Sequence, residues 1–97
     1  MRLSRQQIAS IRNAAEDAFG PDTRVTLFGS RVDDNKRGGD IDLLIRPTRI
    51  DQPFVRKLRF LSLLERNLGE RKIDVVMELP NDSRPIVQVA HVTGVAL

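Results

Sequence analysis

Val25-Thr26-Leu27-Phe28-Gly29-Ser30-Arg31, followed at a short distance by Gly38-Gly39-Asp40-Ile41-Asp42-Leu43-Leu44-Ile45, decides how this chain reads. An apolar strand runs into a Gly-Ser turn. A polar, glycine-rich loop follows, and two aspartates then alternate on a second apolar strand. Successive side chains of a strand point to opposite faces, so residues i and i+2 share one. Asp40 and Asp42 therefore project together, while Ile41, Leu43 and Ile45 point the other way. Two carboxylates that close repel each other, and burial sharpens the repulsion. A divalent cation relieves it, and Mg2+ favours one or two carboxylates together with phosphate oxygens and water. Turn donors for phosphate beside carboxylates for a metal are what a metal-bound nucleoside triphosphate needs.

Each residue also has a plainer reading. A bare Asp-x-Asp suits the wet side of a half-exposed strand, and short motifs match by chance. Gly29 permits a sharp turn and a close approach of phosphate, but it also suits an ordinary strand-to-loop turn. Ser30 offers a hydroxyl and a backbone N–H, with further free N–H groups if a short helix starts there. Arg31 fits a phosphate clamp and a solvated surface position equally well. Further on, Lys72-Ile73-Asp74-Val75-Val76-Met77 repeats the pattern. Ile73, Val75 and Met77 share one face, and Asp74 lies on the other with Val76. A charge left unpaired and buried in such a strand costs several kcal/mol. Asp74 is therefore exposed, paired with Lys72 or Arg71, or linked to a metal.

Phe28-Gly29-Ser30-Arg31, a nine-residue spacer after Ser30, then Asp40-Ile41-Asp42-Leu43-Leu44, with Asp74 on a later strand, resembles the signature of the minimal nucleotidyltransferases. These are the small, MNT-type members of the DNA polymerase beta-like superfamily. The likeness covers nearly the whole chain and implies an α+β nucleotidyltransferase fold. The sheet would be small and mixed, with about three to four strands and helices packed on one side. By the same resemblance Asp40, Asp42 and Asp74 are the catalytic and metal-holding carboxylates, and two Mg2+ ions are implied. Gly29, Ser30 and Arg31 bind the nucleotide, with Gly29 and Ser30 holding the beta and gamma phosphates. Asp74 helps bind the second ion and accepts the proton of the attacking hydroxyl. The implied reaction moves a nucleoside monophosphate, AMP from ATP foremost, onto a hydroxyl.

Larger relatives carry a second domain that grips the base and the acceptor, and here the missing surface is expected from a partner, a homo-oligomer or the acceptor itself. Minimal members of the MntA-like kind resemble antitoxins that pair with a HEPN-family helical toxin and adenylylate one of its tyrosines. This chain has no Tyr, so a tyrosine acceptor belongs to another molecule. A non-catalytic antitoxin that acts by occlusion is the rival reading, as is transfer to RNA or a small molecule. Occlusion alone would require none of the carboxylates.

Composition fits one domain over residues 1–97, too short for two. The absence of Cys excludes disulfides and thiolate metal sites. No apolar run reaches the roughly 18 residues of a membrane span, and the N-terminus has no signal-peptide apolar region, so a cytoplasmic protein with no membrane partner is expected. Sixteen Lys and Arg against thirteen Asp and Glu give a net charge of +3. That suits phosphate ligands without indicating direct nucleic-acid binding, and the four Phe form no base-stacking platform among the basic residues.

Ser4 and Gln7 predict a capping box, with Leu3 stapled to Ile8. Ile8, Ile11, Ala15, Ala18 and Phe19 recur at helical spacing, and Gly20-Pro21 ends that helix. Strands are expected over 25–28, 41–45 and 73–78. The segment 31–39 starts as a short helix and becomes a loop. A second long helix, capped by Asp51 or Gln52 with Pro53 in its first turn, runs to about Leu68 with Phe54, Leu58, Leu61 and Leu68 inward. Its Arg56, Lys57, Arg59 and Arg66 read first as a solvated face and otherwise as a contact for an acidic partner or nucleic acid. Pro85 starts a short helix reaching about His91, a surface or half-buried residue to which no role is assigned.

Overall fold

The backbone meets itself first as a hairpin-like pair. β1 (Arg24–Phe28) and β2 (Ile41–Arg46) run antiparallel, with Val25 opposite Ile45, Leu27 opposite Leu43 and Phe28 opposite Asp42. The computed structural model describes residues 3–29, 41–69 and 72–97. β3 (Ile73–Met77) joins β2 in parallel, Asp42 opposite Asp74 and Ile45 opposite Met77. A parallel neighbour needs a crossover, and α2 (Pro53–Leu68) supplies it. β4 (Val95–Ala96) closes the other edge antiparallel to β1, giving the order β3-β2-β1-β4. The result is an α+β fold with a four-stranded mixed sheet and three helices.

The alternation read from the sequence sets the two faces. Val25, Leu27, Ile41, Leu43, Ile45 and Val75 turn to one side and pack with Ile11, Ala15, Phe19, Phe60 and Leu64 in the main core. Those last residues belong to α1 (Arg5–Phe19) and α2, which cover that face as expected. Fully burying one such large side chain is worth about 1.5–3 kcal/mol. The opposite face carries Phe28 and Leu44, on which Val87 and Ala90 of α3 (Pro85–Thr93) pack, with Val76 partly buried alongside. Helical cover is thus two helices on one face and one short helix on the other.

Local chemistry explains the helix ends. The Ser4 hydroxyl accepts the Gln7 N–H at 3.1 Å, and Gln7 Oε1 accepts the Ser4 N–H at 2.9 Å, the capping box the sequence predicts. The N–H groups of Gly20 and Gly69 return to the carbonyls of Glu16 and Glu65. Gln52 caps α2 in the left-handed region without a side-chain hydrogen bond. Asp51 turns to Arg56 instead, its carboxylate oxygens 3.0 and 3.1 Å from the guanidinium.

The inward face of α2 differs from the sequence expectation. Phe54 is 71% exposed and Leu58 50%, whereas Phe60 and Leu64 are fully buried, with Leu61, Leu63 and Leu68 partly so. The helix is turned by its contacts with α1. Phe60 meets Phe19 edge to face, ring centres 5.5 Å apart at 61°, a favoured aromatic geometry. Arg59 reaches Asp17 at 2.9 Å, and Arg56 donates to the Ala18 carbonyl at 3.1 Å. Two of the four cations on that helix are therefore tied within the chain. No helix among the described residues is long and apolar enough to cross a membrane.

Candidate active site

Topology brings three strand ends to one end of the sheet. β2 and β3 are parallel, so Asp42 and Asp74, each the second residue of its strand, start level with one another. β1 runs the other way, so its last residue, Phe28, arrives opposite Asp42 and delivers Gly29 to the same place. Adjacent strands stand about 4.8 Å apart, and residues in register share a face. Asp42 and Asp74 are thus side by side on the face opposite the main core, Asp42 half-buried and Asp74 exposed.

Gly29 fits against this pair. Its φ is +75°, in the left-handed region that side chains rarely adopt. A Cβ built there runs into Asp42 Oδ2 and stands 3.0 Å from its Cγ. The space that lacks a side chain at Gly29 is the space the Asp42 carboxylate uses. The sequence pointed to close approach of phosphate at this glycine. The approach to Asp42 is an added demand, created by strand register rather than by any local motif.

Among the described residues Asp74 forms no ion pair, with Lys72 or any other cation. Arg71, the other candidate partner, lies outside them, as do Ser30, Arg31, Asp40 and the short helix and loop expected over 31–39. No group of three or more His, Cys, Asp or Glu suited to a metal occurs among the described residues. The pair that is described offers hard oxygen donors in adjacent strands, the donor type that Mg2+ takes.

His91 is an exposed residue whose Nε2 lies 2.9 Å from Glu78 Oε1. A groove of about 870 Å3, with Arg24, Arg46, Glu78 and His91 in its wall, lies toward the other end of the sheet and includes neither Asp42 nor Asp74. Strand register, not concavity, marks the carboxylate site.

The family model of the nucleotidyltransferase domain matches residues 8–91. The chain belongs to the nucleotidyltransferase domain family. The match runs from the first turns of α1 through His91 of α3 and so includes the three strand ends that meet at Gly29, Asp42 and Asp74. General nucleotidyl transfer, with a nucleotide as substrate, follows from that membership. No curated protein matches the chain.

Proposed function

We propose that this nucleotidyltransferase domain moves AMP from ATP onto a hydroxyl of a partner protein, as the antitoxin of a HEPN–minimal nucleotidyltransferase pair. In this reading residues 1–97 form one minimal domain that works in the cytoplasm. The observation that carries it is the pairing of Asp42 with Asp74 beside Gly29, inside a family match that spans most of the chain. A protein that acts only by covering its partner has no need to hold two carboxylates in register against a glycine.

Each residue has a part in the chemistry. Gly29 and Ser30 accommodate the beta and gamma phosphates, and Arg31 balances their charge. Asp40, Asp42 and Asp74 would hold two Mg2+ ions. Such ions, when bound, neutralise the phosphates and stabilise the attacking and leaving oxygens of an in-line displacement. The acceptor oxygen forms a bond to the alpha phosphorus as the bond from that phosphorus to the bridging oxygen breaks. Pyrophosphate leaves, and the hydroxyl proton passes to Asp74. The residues contribute mainly position and charge.

The test is incubation of the purified chain with alpha-labelled ATP, Mg2+ and lysate from its own source, with Asp42→Asn as the control. The expected result is label on one protein band, present only with the unmutated chain. Label on RNA would move the acceptor from protein to nucleic acid. Absence of transfer with every nucleotide, alongside retained neutralisation of a partner by Asp42→Asn, would replace this reading with occlusion.

A further inference from the structure

Arg24 is the first residue of β1 and Arg46 the last of β2, and the antiparallel register sets them directly opposite each other. Register partners share a face. By alternation along β2 it is the face of Leu44 and α3, at the end of the sheet away from Asp42. Side chains so placed have Cβ atoms about 4.5–5.5 Å apart, and like charges there are destabilising. Both arginines are exposed. Among the described residues neither makes an ion pair or a side-chain hydrogen bond.

The nearest counter-charge on the sheet is committed elsewhere. The Glu78 N–H donates to the Ile45 carbonyl at 2.8 Å. That bond carries the parallel ladder one residue past Met77 and sets Glu78 beside Arg46 on the same face. The Glu78 carboxylate meets His91 Nε2 at 2.9 Å, and its side chain is 14% exposed. Arg24, Arg46 and Glu78 together leave a net positive charge whether His91 is neutral or protonated. All four stand in the wall of the groove of about 870 Å3. Arg12, Glu16 and Asp22 also line it, from α1 and the turn that follows. Arg12 offsets Glu16 there and Asp22 adds one negative charge, so the positive charge is concentrated on the sheet, at the two opposed arginines.

Two guanidiniums side by side present planar forks of N–H donors that match phosphate oxygens. A phosphate monoester carries nearly two negative charges at neutral pH. It therefore matches the pair in charge and relieves their repulsion, where one carboxylate would neutralise only one of them. The groove has the volume of a small-molecule site, about 300–1,000 Å3. Arg46 lies four residues along β2 from Asp42, roughly 13 Å at the rise of a strand, and Leu44 with α3 packed on it lies between. We propose that the groove at Arg24 and Arg46 is a second ligand site, which takes the phosphate of a phosphorylated small molecule. It is separate from the carboxylate pair and does not rest on the transfer chemistry proposed there.

The probe is inorganic pyrophosphate, titrated into the 97-residue chain at low ionic strength without divalent cations, with calorimetry for affinity and thermal unfolding for stability. Pyrophosphate is expected to bind and to raise the melting temperature. Arg46→Gln weakens binding by about 10- to 100-fold, while Lys57→Gln, which removes the same charge elsewhere, and Asp42→Asn keep it. Without pyrophosphate, Arg46→Gln melts above the unmutated chain, because the repulsion with Arg24 is gone. If Arg46→Gln fails to fold, Arg24→Gln decides. Absence of binding to the unmutated chain overturns the proposal, as does equal affinity in Arg46→Gln or loss of affinity in Asp42→Asn. Succinate bound as tightly as pyrophosphate would make the groove a carboxylate site, and single-stranded RNA bound more tightly would make it a polymer contact; either result overturns it too.

Discussion

A side chain at position 29 and the Asp42 carboxylate cannot both keep their places. Gly29→Ala meets two obstacles, the positive φ and the collision with Asp42 Oδ2. Backbone strain of this kind costs about 1–3 kcal/mol. The expected outcome is a lower melting temperature together with loss of label transfer, because the displaced group is Asp42 itself. Gly94 is a glycine for a different reason. Its φ is ordinary, but a Cβ there runs into the Ala90 carbonyl and lies 3.0 Å from the Leu27 carbonyl. Gly94→Ala should cost about 1–3 kcal/mol as overpacking, measured by chemical denaturation, and it should leave the carboxylate pair alone. The face shared by Asp42 and the strand-three aspartate was legible from alternation. The demand on Gly94 was not, since its neighbours come from another helix turn and another strand.

At the scale of elements, the strands read more clearly than the helix between them. Period-two alternation around Asp42 and Asp74 leaves one choice of inward face, and the observed cores follow it. α2 has apolar residues on more than one side, so its sequence admits two stripes. The choice falls to Phe19, Asp17 and the Ala18 carbonyl on α1, which hold Phe60, Arg59 and Arg56. Sequence spacing within α2 contains none of that information. The two phenylalanines make the difference measurable. Phe60→Ala should destabilise by about 3–5 kcal/mol, whereas Phe54→Ala should change stability by no more than about 0.5 kcal/mol. Urea denaturation of the two variants checks the orientation of α2 directly. The capping box of α1 was legible because its two hydrogen bonds are local, four residues from end to end. The two-residue β4 was not, because a pair so short is defined only by the β1 edge it joins.

Across the whole molecule, parallel β2 and β3 with antiparallel β1 are what bring Gly29, Asp42 and Asp74 to one end of the sheet. Reversing the direction of β1 or β3 would send Gly29 or Asp74 to the far end of the sheet. The resemblance implied a small mixed sheet and the residues its strands; the strand directions and order are seen only in the fold. The loop from β3 to α3 is pinned by charge. Arg84 holds the Asp82 carboxyl well below the usual carboxylate range, chiefly through side-chain hydrogen bonds, with help from the Leu79 N–H. A carboxyl depressed in the folded state adds stability above its unfolded pKa, roughly 3.9. That stability is lost as pH falls through the folded value. Acid titration of the melting temperature should therefore fall more steeply below about pH 4 in the unmutated chain than in Asp82→Asn, and the two should differ most near neutral pH.

The proposed function rests on Asp42, set against Gly29 and in register with Asp74, as the anchor of a metal-dependent nucleotide site. Calorimetric titration of a non-hydrolysable ATP analogue, with and without Mg2+, into the unmutated chain and Asp42→Asn tests it without any knowledge of the acceptor. Binding is expected to require Mg2+ and to disappear in Asp42→Asn while the fold, read by circular dichroism, is kept. Equal affinity without Mg2+, or equal affinity in the Asp42→Asn chain, would contradict it.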